Sequence, residues 1–146
     1  MISKKKIAII AVAIIVVVGV VGVYLWQSLT TSFADVDDAV NRFVSKVGAY
    51  DSAGAWALAS QDYQESWGEY VEFENMVDSL YEKVWHATIQ STSSRAIETK
   101  NGVTTASVTL TAAITDTEQG EHTETWIFKL VKIGSEWKID DWLVQD

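Results

Sequence analysis

A run of twenty residues without a charged or strongly polar side chain, IAIIAVAIIVVVGVVGVYLW at Ile7 to Trp26, constrains this chain more than any other feature. As a helix rising about 1.5 Å per residue it spans about 30 Å, the thickness of a bilayer's hydrocarbon core. A helix apolar on every face has no place in the core of a small domain, so the run predicts a single transmembrane helix. Lys4, Lys5 and Lys6 precede it and no Lys or Arg follows until Arg42. That asymmetry puts residues 1–6 inside, as a cytoplasmic basic flank, and the remainder outside. Tyr24 and Trp26 stand at the outer end, where interfacial aromatics belong. The expected localisation is the plasma membrane, crossed once. Ser32-Phe33-Ala34 also offers small residues at the spacing of a cleavage site. The apolar core of a signal peptide, however, is only about 7 to 15 residues long.

Beyond the span, residues 27–34 (QSLTTSFA) lack periodicity and read as a short linker, leaving 35–146 for one extracytoplasmic domain. Three of the 11 basic residues precede the span, so eight face 20 acidic ones beyond it, a net of −12. A phosphate backbone would be repelled by such a surface, and nucleic acid is not an expected partner. Cysteine is absent, which excludes disulfides and thiolate chemistry. Seven Trp, five Tyr and four Phe can supply a dense core in their place.

Helical periodicity comes first along this region. Asp35 is expected to cap a helix with Val36, Val40, Phe43, Val44 and Val47 on one face. Asp51 can cap a short second helix holding Ala55, Trp56 and Ala59, which Ser60-Gln61-Asp62 should break. A third helix is expected over Glu69 to Lys83, with a stripe of Phe73, Val77, Leu80, Tyr81 and Val84.

From Val84 the period changes to two. A first strand is read over Val84 to Ser91, and Arg95 to Thr99 should pair with Val103 to Ile114 through an Asn101-Gly102 hairpin. Ala106, Val108, Leu110, Ala112 and Ile114 mark one buried face. After the turn Thr115 to Gly120, Trp126, Phe128 and Leu130 alternate with Ile127, Val131 and Ile133, as in a strand that is central or covered twice. A last strand, Glu136 to Val144, needs a bulge near Asp140-Asp141 to keep its aromatics on one face. Helices followed by about four antiparallel strands predict an α+β domain, with the helices packed on one face of a curved sheet.

FVSKVGAYDSAGAWALAS in the helical half and GSEWKIDDW near the end resemble the NTF2-like (cystatin-like) superfamily over roughly residues 35–146. In layout the chain is similar to membrane-anchored extracytoplasmic NTF2-like proteins. The resemblance implies a bent sheet wrapped around the first helix, a pocket at the open end of that cone, and dimers through the sheet. It does not imply chemistry, because the fold serves enzymes and non-enzymes alike.

With only two histidines, a general base of that type must be His86 or His122, while a buried Asp could also move a proton. His86 is the candidate, because an NTF2-like pocket could bring it to Asp51, Asp62 or Tyr63, as in dehydratase- or isomerase-type members. A satisfied or surface histidine is the plainer reading. Tyr63, Trp67, Tyr70 and Phe73 follow helical spacing. With an open cone, Tyr63, Trp67, His86, Trp126 and Trp142 would line a site for a small apolar ligand; with a closed one, the aromatics are core. Asp35, Asp37 and Asp38 suit a helix start, and Asp116, Glu118, Glu121 and Glu124 a hairpin rim, and neither group has the order of a calcium loop. No phosphate loop, serine elbow or zincin motif occurs, and no metal or cofactor is expected. The sequence favours a non-enzymatic binding module for an envelope protein or small apolar ligand, with a His86 enzyme as the alternative.

Overall fold

The computed structural model describes residues 33–145. The expected span Ile7 to Trp26 lies outside them, as does most of the expected linker. Among the described residues no helix is long and apolar enough to cross a membrane.

The order is α1 (33–48), α2 (Ser52–Ala57), α3 (Gln61–Ser66) and α4 (Tyr70–Glu82), then β1 (His86–Lys100), β2 (Val103–Asp116), β3 (Gly120–Ile133) and β4 (Glu136–Gln145). The strands form one antiparallel sheet in the order β1-β2-β3-β4. Val36, Val40, Phe43, Val44 and Val47 are all buried, so the first helix presents the face its spacing predicts. Asp35 does not cap it, because the helix is already formed at residue 33.

Asp51 does cap α2, accepting a hydrogen bond from the Gly54 amide. The expected break at Ser60 is instead the start of α3, where the Ser60 hydroxyl accepts from the Tyr63 amide. A residue that ends one helix here begins the next. Gly68, at φ 80°, then separates α3 from α4, so the aromatic stripe from Tyr63 to Phe73 belongs to two helices.

β1 is one strand of 15 residues where two shorter ones are expected. Its register against β2 slips between Ile89 and Ser91 and again between Thr92 and Ser94, leaving Gln90 and Ser93 as bulge residues. Two bulges destroy the alternation from which a strand is read and bend the sheet. Asn101 and Gly102, at φ 54° and 77°, form the hairpin turn. The one expected bulge is present at Asp140, between the pairs Lys129 with Asp141 and Leu130 with Ile139. β3 is central, but it is not covered on both faces. Trp126, Phe128 and Leu130 are buried against the helices, whereas Ile127 and Val131 are half-buried and Ile133 is 52% exposed.

α1 and α4 both end in a left-handed residue that is not glycine, Tyr50 at φ 59° and Val84 at φ 52°. The hydrogen bonds are those of a Schellman motif, from the Val84 amide to the Tyr81 carbonyl and from the Trp85 amide to the Leu80 carbonyl. A β-branched residue in this conformation costs about 1–2 kcal/mol. The Val84 side chain is half exposed and contributes little burial in return. Val84→Gly is therefore expected to stabilise the domain by about 1 kcal/mol in urea denaturation. A loss of stability would mean that the side chain contributes more than the strain costs.

Candidate functional site

The inner face of the sheet meets the helices through a connected set of aromatic rings. Phe43 of α1 stands edge-on to Tyr63, Phe128 and Trp142, with centroids 6.3, 6.1 and 5.9 Å away. Trp142 stacks on Phe128 at 5.6 Å and meets Trp126 edge-on at 5.1 Å, and Trp126 stacks on Trp85 at 6.1 Å. On the helical side Tyr63, Trp67 and Phe73 are mutually edge-on at 5.5–6.5 Å. Centroid separations of 4.5–7 Å are packing distances, so these rings fill the space that an open cone would leave.

Four of the expected ligand residues are thus core or core-flanking. Trp126 is fully buried, Tyr63 nearly so, and Trp67 and Trp142 pack against the same cluster. Burial lifts the Tyr63 hydroxyl above its usual pKa. The indole nitrogens of Trp137 and Trp142 are buried without a hydrogen-bond partner among the described residues.

His86 lies elsewhere. It pairs with Thr115 on the outer face of the sheet, while its neighbour Ala87 pairs with the buried Ile114 on the inner face. The His86 side chain is exposed and hydrogen-bonds to no described carboxylate. Of its expected partners, Asp51 is held by the Gly54 amide and by Lys46 at 3.4 Å, Asp62 is exposed, and Tyr63 is in the core. The structure does not assemble a proton-transfer pair around His86.

His122 is the better-connected histidine. Its Nδ1 faces the Gly120 carbonyl and its Nε2 the Glu124 carboxylate, each at 3.2 Å. The other Glu124 oxygen accepts from Trp126 Nε1 at 2.7 Å, which ties the hairpin to the core. Partial burial disfavours the imidazolium, but the Gly120 carbonyl, Glu124 and Asp116 outweigh it and raise the His122 pKa. Both ring nitrogens then face acceptors, the geometry of the charged form. Asp116 accepts from the Gln119 and Glu118 amides, which hold its carboxyl below the usual range.

Three more carboxylates of the two acidic groups have partners. Asp37 takes the Arg95 guanidinium at 2.8 Å, Asp38 pairs with Arg42 at 3.5 Å, and Glu118 with Lys83 at 3.2 Å. The Asp37–Arg95 pair crosses from α1 to the inner face of β1, where Arg95 sits opposite the buried Val108.

Open concave surface lies at the seam between α1 and β1. Two depressions of about 540 and 150 Å³ share Asn41 and Ile89 and run from Gly48 and His86 to the Asp37–Arg95 pair. Val40, Val44, Val108 and Leu110 form the apolar floor, and Asn41, Ser45 and Thr92 line it beside them. Sequence reasoning missed this seam. The signal available was Thr92 and Arg95, polar residues at inner-face positions where a fully covered strand would carry apolar ones.

No family model and no curated protein sequence matches the chain. Solved structures do resemble it. One is a protein of unknown function from Mycobacterium tuberculosis, 12% identical with a TM-score of 0.59, covering 82% of this chain and 73% of its own. Another is a protein of unknown function with a cystatin-like fold from Nostoc punctiforme, 12% identical with a TM-score of 0.55, covering 76% of this chain and 87% of its own. At that identity the likeness shows the fold alone, a cystatin-like, NTF2-like α+β architecture.

Two outcomes follow from this geometry. Trp126→Ala is expected to cost about 3–5 kcal/mol in denaturant unfolding, as for a core ring; a near-neutral change would place it in an open pocket. The raised His122 pKa contributes stability below its unfolded value near 6.5 that is lost as pH rises through the folded value. Denaturation midpoints should therefore fall over that window in the native protein and stay flatter in His122→Gln. The lowered Asp116 pKa acts in a separate window, its contribution disappearing below the ordinary value of 3.8.

Proposed function

We propose that this chain is a non-enzymatic binding module, tethered by residues 7–26 with its N-terminus inside and its domain outside, that recognises a partner protein at its surface. The filled aromatic interior carries the reading. A small apolar ligand would have to displace Phe43, Trp126 or Trp142 from ring contacts of 5.1–6.1 Å, whereas the α1–β1 seam is already concave and exposed. A His86 enzyme would need the imidazole to face a cavity beside a carboxylate; His86 borders the larger depression of the seam, but no carboxylate lines that depression with it.

The charge distribution supports the tether. Three lysines precede the apolar run and no Lys or Arg follows until Arg42, the asymmetry that keeps the N-terminus inside. A domain held near the bilayer meets its partner at high local concentration, which lets a modest surface suffice. In cells expressing the full chain, the protein should stay with the membrane pellet after alkaline carbonate extraction. Protease added to intact spheroplasts should remove the domain. Release by carbonate, or a domain that protease reaches only after lysis, would overturn the tethered, outward-facing arrangement.

A further inference from the structure

The sheet has two edges, and the molecule treats them differently. Along β4 the Leu58–Ser60 segment lies against the edge: the Ile139 amide donates to the Leu58 carbonyl at 2.9 Å, and the Ser60 amide to the Ile139 carbonyl at 2.7 Å. Ser60 also donates from its hydroxyl to Asp140, fixing the bulge. β1 has no such cover among the described residues. Its outward main-chain N–H and C=O groups form an open row over a strand of 15 residues.

That open edge also forms one wall of the seam, with α1 as the other. A helix set beside a free edge strand is a receptor for an extended peptide: main-chain bonds to the strand give affinity, and alternate side chains enter the groove. The bulges at Gln90 and Ser93 leave β1 with two longer regular runs, His86–Ile89 and Ser94–Lys100, which limits long sheet-to-sheet pairing. We take His86–Ile89 as the docking run because it borders the larger depression, opposite Val44, Ser45 and Gly48. Gly48 leaves the groove unobstructed, since a Cβ at that position would meet no atom within 4 Å.

We infer that the α1–β1 seam binds an extended segment of a partner protein, which adds as a strand to His86–Ile89. Every second residue of that segment would be apolar and enter the groove beside Val44 and Ile89. Its polar residues would be basic, because the domain that presents the groove carries −12. The inference rests on the binding-module reading and names the partner's chemistry. A second copy of this chain fits less well, because the paired bulges of two β1 strands would interrupt the register twice over.

The test uses the full chain in detergent micelles and a phage-displayed library of random decapeptides. Enriched peptides should alternate apolar residues with Lys or Arg, and on binding should slow hydrogen exchange at the amides of 86–89. Gly48→Trp, which fills the groove from a position with free space, should weaken the selected peptides at least tenfold, with folding checked by circular dichroism. Ser45→Trp serves the same purpose should that variant unfold. Leu143→Gln, on the outer sheet face, should leave binding unchanged. Failure to enrich any peptide family would overturn the inference, as would equal binding to both groove variants. Peptides that protect the outer face and are weakened by Leu143→Gln would overturn the seam while leaving a binding module in place. Mass measurement by light scattering identifies self-pairing, and a dimer abolished by Gly48→Trp would overturn the peptide assignment in favour of a second copy.

Discussion

Phe43 joins parts of the chain that are far apart in sequence. It has no exposed surface, it comes from the middle of α1, and it meets rings from α3, β3 and β4 at once. Without cysteine, the domain has no covalent constraint to hold helices on the sheet, and area burial by large rings supplies that attachment instead. The Asp37–Arg95 pair adds a directional contact between α1 and β1, though its exposure keeps the energy small. Where the rings end, toward β1, the helix and strand separate into the seam.

Much of what lies outside that cluster follows from it. Trp126, Phe128 and Trp142 must share the inner face, and β4 can bring Trp142 there after Ile139 only if one residue is looped out. Asp140 is that residue, and the buried Ser60 hydroxyl that binds it also caps α3. A single serine thus couples the bulge, the helix start and the covered edge. β1, by contrast, carries Thr92 and Arg95 on its inner face, so less apolar surface draws it toward the helix. Among the described residues its edge is open and the groove beside it unfilled.

Where periodicity was long and uninterrupted, the sequence was a good guide. α4 falls within one residue of its expected bounds, the inner faces of β2 and β3 are those their alternation predicts, and both the Asn101-Gly102 turn and the Asp140 bulge are present. α3 was not legible because six residues are too few for a helical period and its cap resembles a breaker. β1 was split by bulges that disrupt a period of two. The aromatic residues could be named but not assigned to pocket or core, since that depends on whether the space between helix and sheet is filled. His86 was more decidable than it seemed: Trp85 and Ala87 on either side are the inward residues, which leaves the histidine on the opposite face.

The proposed surface binding depends on a closed interior. Hydrogen exchange at the Trp126 indole, resolved from the other six tryptophans by two-dimensional NMR, measures this directly. The ring is fully buried, and its Nε1 donates to Glu124 at 2.7 Å. A closed interior predicts that this N–H exchanges as slowly as the most protected amides of β2 and β3, through unfolding of the whole domain. Exchange within minutes under native conditions, or a large shift of this resonance on adding a small apolar ligand, would show water or ligand reaching the ring and would contradict the account.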